Sequence, residues 1–477
     1  MAAAKKAKTE KMTKEALEEL KNKLSFKRQN AYAFMTDEER AECDGYAEDY
    51  IRFLNASKTG REAVKTAVAM AEKEGFREWK FGDEIKAKGK YYFNNRGKAL
   101  YLFVRGTEKL AENGVRITAA HIDSPRIDLK AHPLYEDSGL CLFKTQYYGG
   151  IKKYQWTTIP LALHGTIVKK DGTTVEINIG EDPSDPVFCI TDLLPHFAKD
   201  QMAKTLADGV SASSLNIVAG SLPLAPEVDE NSVKLGILSL LNETYGITEE
   251  DFISADISAV PAWRARYVGF DASLIGGYGH DDRVCAYPVL TALLDAAKKP
   301  KHTVIGVLAD KEETGSEGMT GMQSEVLCDI IDAISAACGA DPAAVRNNSM
   351  CLSADVSAAF DPSYPEAHEK TNASLMNYGV SMLKYTGSRG KSSTNEATAE
   401  FVGKVRAMLD GAHVLWQASE LGKTDLGGGG TVAKYVSVHN IDTVDVGVPM
   451  LSMHAPFELV AKADVYMTHR AMLAFNL

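Results

Sequence analysis

Short apolar segments that read as strands alternate with amphipathic segments that read as helices, on both sides of a β-rich block, and this order leaves few folds open. Before the block, Gly114-Val-Arg-Ile-Thr-Ala-Ala-His121 reads as a buried strand. After it come a helix at about 283–298, strands over His302–Ala309 and Ser349–Ala354, and a last helix at about 462–475. The alternation predicts an α/β sheet sandwiched by helices. Upstream, Ala16, Leu17, Leu20 and Leu24 recur at helical spacing behind a solvated tail. Two more helices are expected at about 37–54 and 59–74, the latter closed by Gly75. The block from about 133 to 265 has another texture. There Leu161–Val168 and Thr174–Ile179 flank Asp171-Gly172, a hairpin signal that suggests a separate β-rich subdomain.

Composition narrows the function classes. With 477 residues, 45% hydrophobic and 25% charged, the chain has enough apolar material for a sizeable core and is neither disordered nor collagen-like. No apolar run approaches the roughly 20 residues a bilayer helix needs, so no membrane span is expected. A formal net charge of −11 weighs against nucleic acid as the main partner. The seven cysteines are scattered, odd in number and form no C-x-x-C pair, which fits reduced thiols rather than a disulfide framework. The first thirty residues contain Glu10, Glu15, Glu18 and Glu19 and lack an apolar core, unlike a secretory or import signal. Cytoplasm is therefore the expected compartment.

In open α/β sheets ligands sit beyond the carboxyl ends of the strands, so the residues just past each expected strand are the informative ones. Past the first lies His121-Ile-Asp123-Ser-Pro-Arg, past the next Asp310-Lys-Glu312-Glu313-Thr-Gly-Ser, and past the third Asp355. Near the carboxyl terminus Val444–Met453 runs into His454, and Gly279-His280-Asp281-Asp282-Arg283 opens the helix near 283. Each feature alone has an ordinary reading: a hydrogen-bonded histidine, a solvated acidic face, or a helix cap at Asp281-Asp282. Together at one sheet edge, two histidines and several carboxylates make a ligand set suited to zinc, manganese or cobalt. In the adjacent pair Glu312-Glu313 one side chain can bind metal while its neighbour takes a proton from water.

Other motifs fail. Gly390-Lys391-Ser392 looks like the end of a phosphate loop, but Tyr385 stands where the first glycine is required. No H-E-x-x-H or G-x-S-x-G pattern occurs. The run Gly427 to Gly430 reads either as a flexible loop or as a site of close backbone approach.

Ala120-His121-Ile-Asp123-Ser-Pro125-Arg126, Asp310-Lys-Glu312-Glu313-Thr-Gly315-Ser316, Ser353-Ala354-Asp355 and Val444 to His454 occur in an order that resembles the aspartyl aminopeptidase / aminopeptidase I family of cocatalytic zinc metallopeptidases. The likeness covers roughly residues 80 to 477. It implies a central mixed sheet flanked by helices, as in zinc exopeptidases, built from 1–132 and 266–477, with an inserted β-rich oligomerisation domain at 133–265. It also implies two divalent metal ions per chain, zinc first, with cobalt or manganese as alternatives. His121 and Asp355 would bind one, Glu313 and His454 the other, and Asp281 would bridge them. Asp281 is preferred to Asp282 because the family's Leu-Asp-Asn overlays His280-Asp281-Asp282 in register. Glu312 would be the general base, with Asp123 orienting His121. The implied partners are peptides and further copies of the chain, as dimers assembled into a tetrahedral dodecamer in which a loop histidine reaches a neighbour's active site. Pro195-His196-Phe197 is similar to that loop, and Lys384 resembles a family lysine that receives an acidic substrate side chain.

The departures touch no implied ligand. After Asp355 the segment Val356 to Pro362 lacks the family's histidine, and Met453-His454-Ala455-Pro456-Phe457-Glu458 lacks its arginine. The expected activity is release of single N-terminal residues from peptides, with acidic residues as the implied preference. Two rivals stay open: a related amidohydrolase such as a deacylase or carboxypeptidase, and an idle homologue kept for assembly or cargo, against which the intact ligands count.

Overall fold

In the computed structural model, which describes residues 13–225, 232–387 and 389–477, the strands form three sheets. The largest has nine strands, and four of them form its parallel centre: Val304–Ala309, Arg116–His121, Met350–Ala354 and Asp442–Gly447. Ala99–Val104 pairs antiparallel on one side of this centre and Val380–Leu383 on the other, so the sheet is mixed. Central strands covered on both faces should be apolar throughout, and every residue of Val304–Ala309 is buried. Successive side chains alternate between the two cores. Val304 and Leu308 join Leu290, Leu293 and Met472 on one face, whereas Ile305 and Val307 join Ile330, Ile331 and Ile334 on the other.

Helices Asp37–Asn55, Gly60–Lys73, His280–Ala296 and Lys462–Asn476 cover the first face, and Val326–Cys338 covers the second. The first two begin where the sequence predicts because Thr36 with Glu39, and Thr59 with Glu62, form reciprocal capping boxes. The helix expected at 283 begins earlier, at His280, with non-helical backbone at Asp281 and Asp282. Lys14–Leu24 is helical as expected but buries nothing, and Leu17, Leu20 and Leu24 are exposed. The tail expected ahead of Thr13 lies outside the described residues.

The second sheet has seven strands, all antiparallel to their neighbours, between Arg126 and Pro261. It contains the expected hairpin, Leu161–Val168 with Thr174–Ile179. Its core includes Phe143, Trp156, Ile167 and Ile257, and the helix Ser232–Tyr245 packs on it through Val233, Ile237 and Leu241. The strand Arg126–Asp137 runs through residue 133, the domain boundary expected from the change of sequence texture.

Two features are not foreseen from the sequence. Strands Lys90–Asn95 and Ala99–Val104 extend the central sheet, and a third, five-stranded sheet lies beside it. The apolar run from Val444 to Met453, which reads as one strand, is divided between two sheets: Asp442–Gly447 in the central one and Pro449–Leu451 in the third. Pro449 lacks the N–H that would continue a central ladder. Among the described residues no helix is long and apolar enough to cross a membrane.

Gly447 shows how tightly this edge is built. A Cβ there would lie 1.7 Å from the carbonyl oxygen of Asp355. Gly447→Ala is expected to destabilise the protein by about 1–3 kcal/mol through overpacking. The check is a lower urea midpoint at unchanged slope in equilibrium unfolding.

Candidate metal centre

The parallel strands end in register, Ala309 opposite His121 and Ala354 opposite Val446, so the residues beyond them emerge at one edge. There His121, Asp281, Glu312, Glu313, Asp355 and His454 converge. Asp281 stands between the imidazoles: its Oδ1 is 3.2 Å from His121 Nε2 and its Oδ2 is 3.2 Å from His454 Nε2. Glu312 Oε2 and Asp355 Oδ1 each lie 3.9 Å from His121 Nε2, and Glu313 Oε1 lies 3.7 Å from His454 Nε2. The His121, Asp281 and Glu313 side chains are almost fully buried, whereas His454 is 36% exposed and opens the cluster to solvent.

Each of these residues is held through its main chain. Asp123 accepts from the N–H groups of Glu312 and Glu313, both at 3.2 Å, and from Tyr148 Oη at 2.7 Å. The same carboxylate is 3.3 Å from His121 Nδ1, whose ring also faces the Asp123 carbonyl at 3.0 Å. Glu458 accepts from the N–H groups of Asp281 and His454, at 3.2 and 2.8 Å. Asp282 accepts from the N–H of His121, and Asp355 donates its own N–H to Val446. The 312–314 turn is bracketed by left-handed Lys311 and Gly315. Gly279, left-handed as well, precedes Asp281; a Cβ on it would lie 1.9 Å from Arg283 Nη1.

Charge in this cluster is poorly balanced without a cation. Burial, then repulsion from Asp281, pushes the carboxyls of Glu312 and Glu313 up; burial, then repulsion from Asp282, does so for Asp355. Burial opposes charge on the histidines, yet Asp123 and Asp281 raise His121 well above its usual range. Asp281 and Glu313 likewise raise His454, to about 10. Glu458 is driven to about 8 by burial and by Asp281. Glu313 Oε1 and Asp282 Oδ1 are buried without any hydrogen-bond partner. Two groups, His121 with Asp281 and Glu313, and His121 with Asp282 and Asp355, offer ligand atoms within 4.8 Å of one another. Buried, unpartnered oxygens beside imidazoles are what a divalent cation requires, and the residues present fit one.

All five expected ligands and Glu312 thus meet at one place, with Asp123 directly behind them. Lys384 and His196 have no hydrogen bond or ion pair to the cluster among the described residues. Lys384 comes after the strand Val380–Leu383 with its Nζ 3.9 Å from Glu396, and His196 is exposed in the 191–198 loop. The four-glycine run packs against other loops: a Cβ on Gly427 would lie 2.1 Å from the Leu421 carbonyl oxygen. Sequence reasoning missed Tyr148 and Glu458. The first carries no local signal; the second sits four residues after His454, in the segment already singled out.

Comparison with known proteins gives a consistent picture. The family model described as aminopeptidase I zinc metalloprotease (M18) matches residues 53–476. A probable M18 family aminopeptidase 1 of Clostridium acetobutylicum is 46% identical over 454 residues, which is 94% of this chain and 97% of the relative. The crystal structure of an M18 family aminopeptidase from Thermotoga maritima superposes with a TM-score of 0.89 at 42% identity, covering 95% of this chain and 99% of the other. That of aminopeptidase I from Clostridium acetobutylicum gives 0.89 at 43% identity, covering 95% and 100%.

Because Asp123 braces both His121 and the 312–314 turn, Asp123→Asn should weaken divalent-cation binding by roughly 10- to 100-fold. Equilibrium dialysis against zinc measures this directly. Tyr148→Phe, which removes only one donor to Asp123, should have a smaller effect.

Proposed function

The chain belongs to the aminopeptidase I zinc metalloprotease family, and from that premise we propose a dinuclear mechanism for release of single N-terminal residues from peptides. The observation that carries this reading is Asp281, with one carboxylate oxygen facing each histidine. On this reading His121 and Asp355 would hold one divalent cation and Glu313 and His454 a second, with Asp281 available to both. Zinc is the expected metal, with cobalt or manganese as alternatives. The chemistry such cations supply when bound is Lewis-acid activation of water and of the scissile carbonyl.

The chain's own residues do the rest. Burial raises the Glu312 carboxyl, and Glu312 is the proposed base that takes a proton from the attacking water and passes it to the leaving amine. Asp123 faces His121 Nδ1, which leaves Nε2 free to bind metal. Buried carboxylates around the site attract the free ammonium of a peptide's N-terminus and favour exopeptidase cleavage. Lys384 is the proposed contact for an acidic first side chain. Glu396 already lies 3.9 Å from it and also pairs with Lys391, so the acidic preference should be modest.

We further propose that 1–132 with 266–477 is the catalytic unit and that 133–265 serves self-association, as dimers joined in a tetrahedral dodecamer. Support comes from exposed apolar side chains in the inserted region, among them Leu193, Leu194, Phe197 and Met202. His196 lies within that group, where a loop could reach a neighbouring copy. Seven cysteines without a disulfide suit a reducing cytoplasm.

Glu312→Gln is expected to lower kcat by roughly 10²- to 10⁴-fold while bound metal is retained. Chelation should abolish the wild-type activity, and zinc should restore it. In a peptide library the products should be single N-terminal amino acids, and acetylated N-termini should resist. Release of C-terminal residues or of acyl groups would move the chain to a different amidohydrolase reaction, and full metal occupancy without any cleavage would make it an idle homologue.

A further inference from the structure

A second set of mixed donors lies away from the buried centre, where Glu325, Cys328 and His439 bring one ligand atom each to within 4.8 Å of one another. Glu325 and Cys328 are three apart, on the same side of the first turn of the helix Val326–Cys338. His439 lies just past the short helix Ala433–Ser437, its N–H bonded to the Val436 carbonyl. Glu325 occupies the N-cap position yet makes no capping hydrogen bond. Among the described residues neither its carboxylate nor the His439 imidazole has a hydrogen bond or ion pair. Three donors of three different kinds, drawn from two elements and left without protein partners, are arranged as a ligand set rather than as a surface network.

We propose that Glu325, Cys328 and His439 form an accessory site for a thiophilic divalent cation of the zinc or cobalt class, independent of the buried centre. Thiolate and imidazole together select such ions over magnesium or calcium. Three protein ligands, one of them exposed, leave a fourth tetrahedral position for water. Burial and the nearby Glu325 carboxylate hold the Cys328 thiol at about 11, so it is protonated without metal, and cation binding displaces that proton to solvent. The site would join two elements that already meet at the catalytic turn. Tyr435, on the Ala433–Ser437 helix, donates to the Gly315 carbonyl at 3.0 Å, and Gln323, just before Glu325, donates to the same oxygen at 2.8 Å. Gly315 closes the turn that carries Glu312 and Glu313.

The test is a cobalt(II) titration of the full-length protein after chelation, tracking thiolate-to-cobalt absorption in the near ultraviolet together with bound cobalt. None of the proposed ligands of the buried centre is a cysteine, and loss of the band in Cys328→Ala distinguishes the accessory site from the Cys285 thiol beside Asp282. The band should appear in wild type and in Cys338→Ala. It should vanish in Cys328→Ala, with one bound cobalt lost per chain, and its half-saturation should rise by roughly tenfold or more in His439→Ala. The half-buried His439 position keeps the test informative should Cys328→Ala fold poorly. Absence of the band in wild type, its persistence in Cys328→Ala, or unchanged half-saturation in His439→Ala would each overturn the proposal.

Discussion

Asp281 lies 3.2 Å from two imidazoles that come from distant parts of the chain, and most of the architecture around it works to keep that arrangement in place. A buried carboxylate is costly unless it is paired, and here its partners must arrive from a strand end and from the loop between two strands of the third sheet. The parallel centre of the nine-stranded sheet supplies the common edge. Gly447 lets two strands end close together there, because the Asp355 backbone occupies the space a side chain would fill.

Holding several carboxylates together demands a rigid frame, and the frame consists of other carboxylates acting on the main chain. Asp123 takes the N–H groups of Glu312 and Glu313; Glu458 takes those of Asp281 and His454; Asp282 takes that of His121. These bonds fix backbone positions and leave side-chain oxygens free, two of them buried without a partner. The site is thus preorganised for a cation before one arrives, at an electrostatic cost visible in the raised carboxyls of Glu312, Glu313 and Asp355. A cation would lower that cost most where the oxygens converge.

Much of this is legible in the sequence for a physical reason. Strands buried on both faces must be apolar, and ligands collect past their ends, so His121, Glu312, Glu313 and Asp355 can be read from where apolar runs stop. Asp281 is readable as a site candidate, though its helical setting conceals the non-helical backbone at 281–282. Less legible are features set by long-range pairing. Pro449 splits one apolar run between two sheets, and the hairpin of Lys90–Asn95 with Ala99–Val104 takes its place only by pairing with Val304–Ala309, far along the chain. Tyr148 and Glu458 act only through partners far away in sequence, which no local pattern encodes. Lys384 and His196, inferred from likeness alone, make no hydrogen bond or ion pair to the cluster among the described residues, and the contact proposed for His196 requires a second copy of the chain.

The central proposal is that one carboxylate, Asp281, would serve two metal ions. Electron paramagnetic resonance of the manganese(II)-loaded protein tests it most directly, because ions that share a carboxylate are magnetically coupled. The account predicts an exchange-coupled spectrum at full loading that collapses to isolated-ion signals in Asp281→Asn. Signals from isolated manganese alone, at full loading of the unaltered protein, would contradict it.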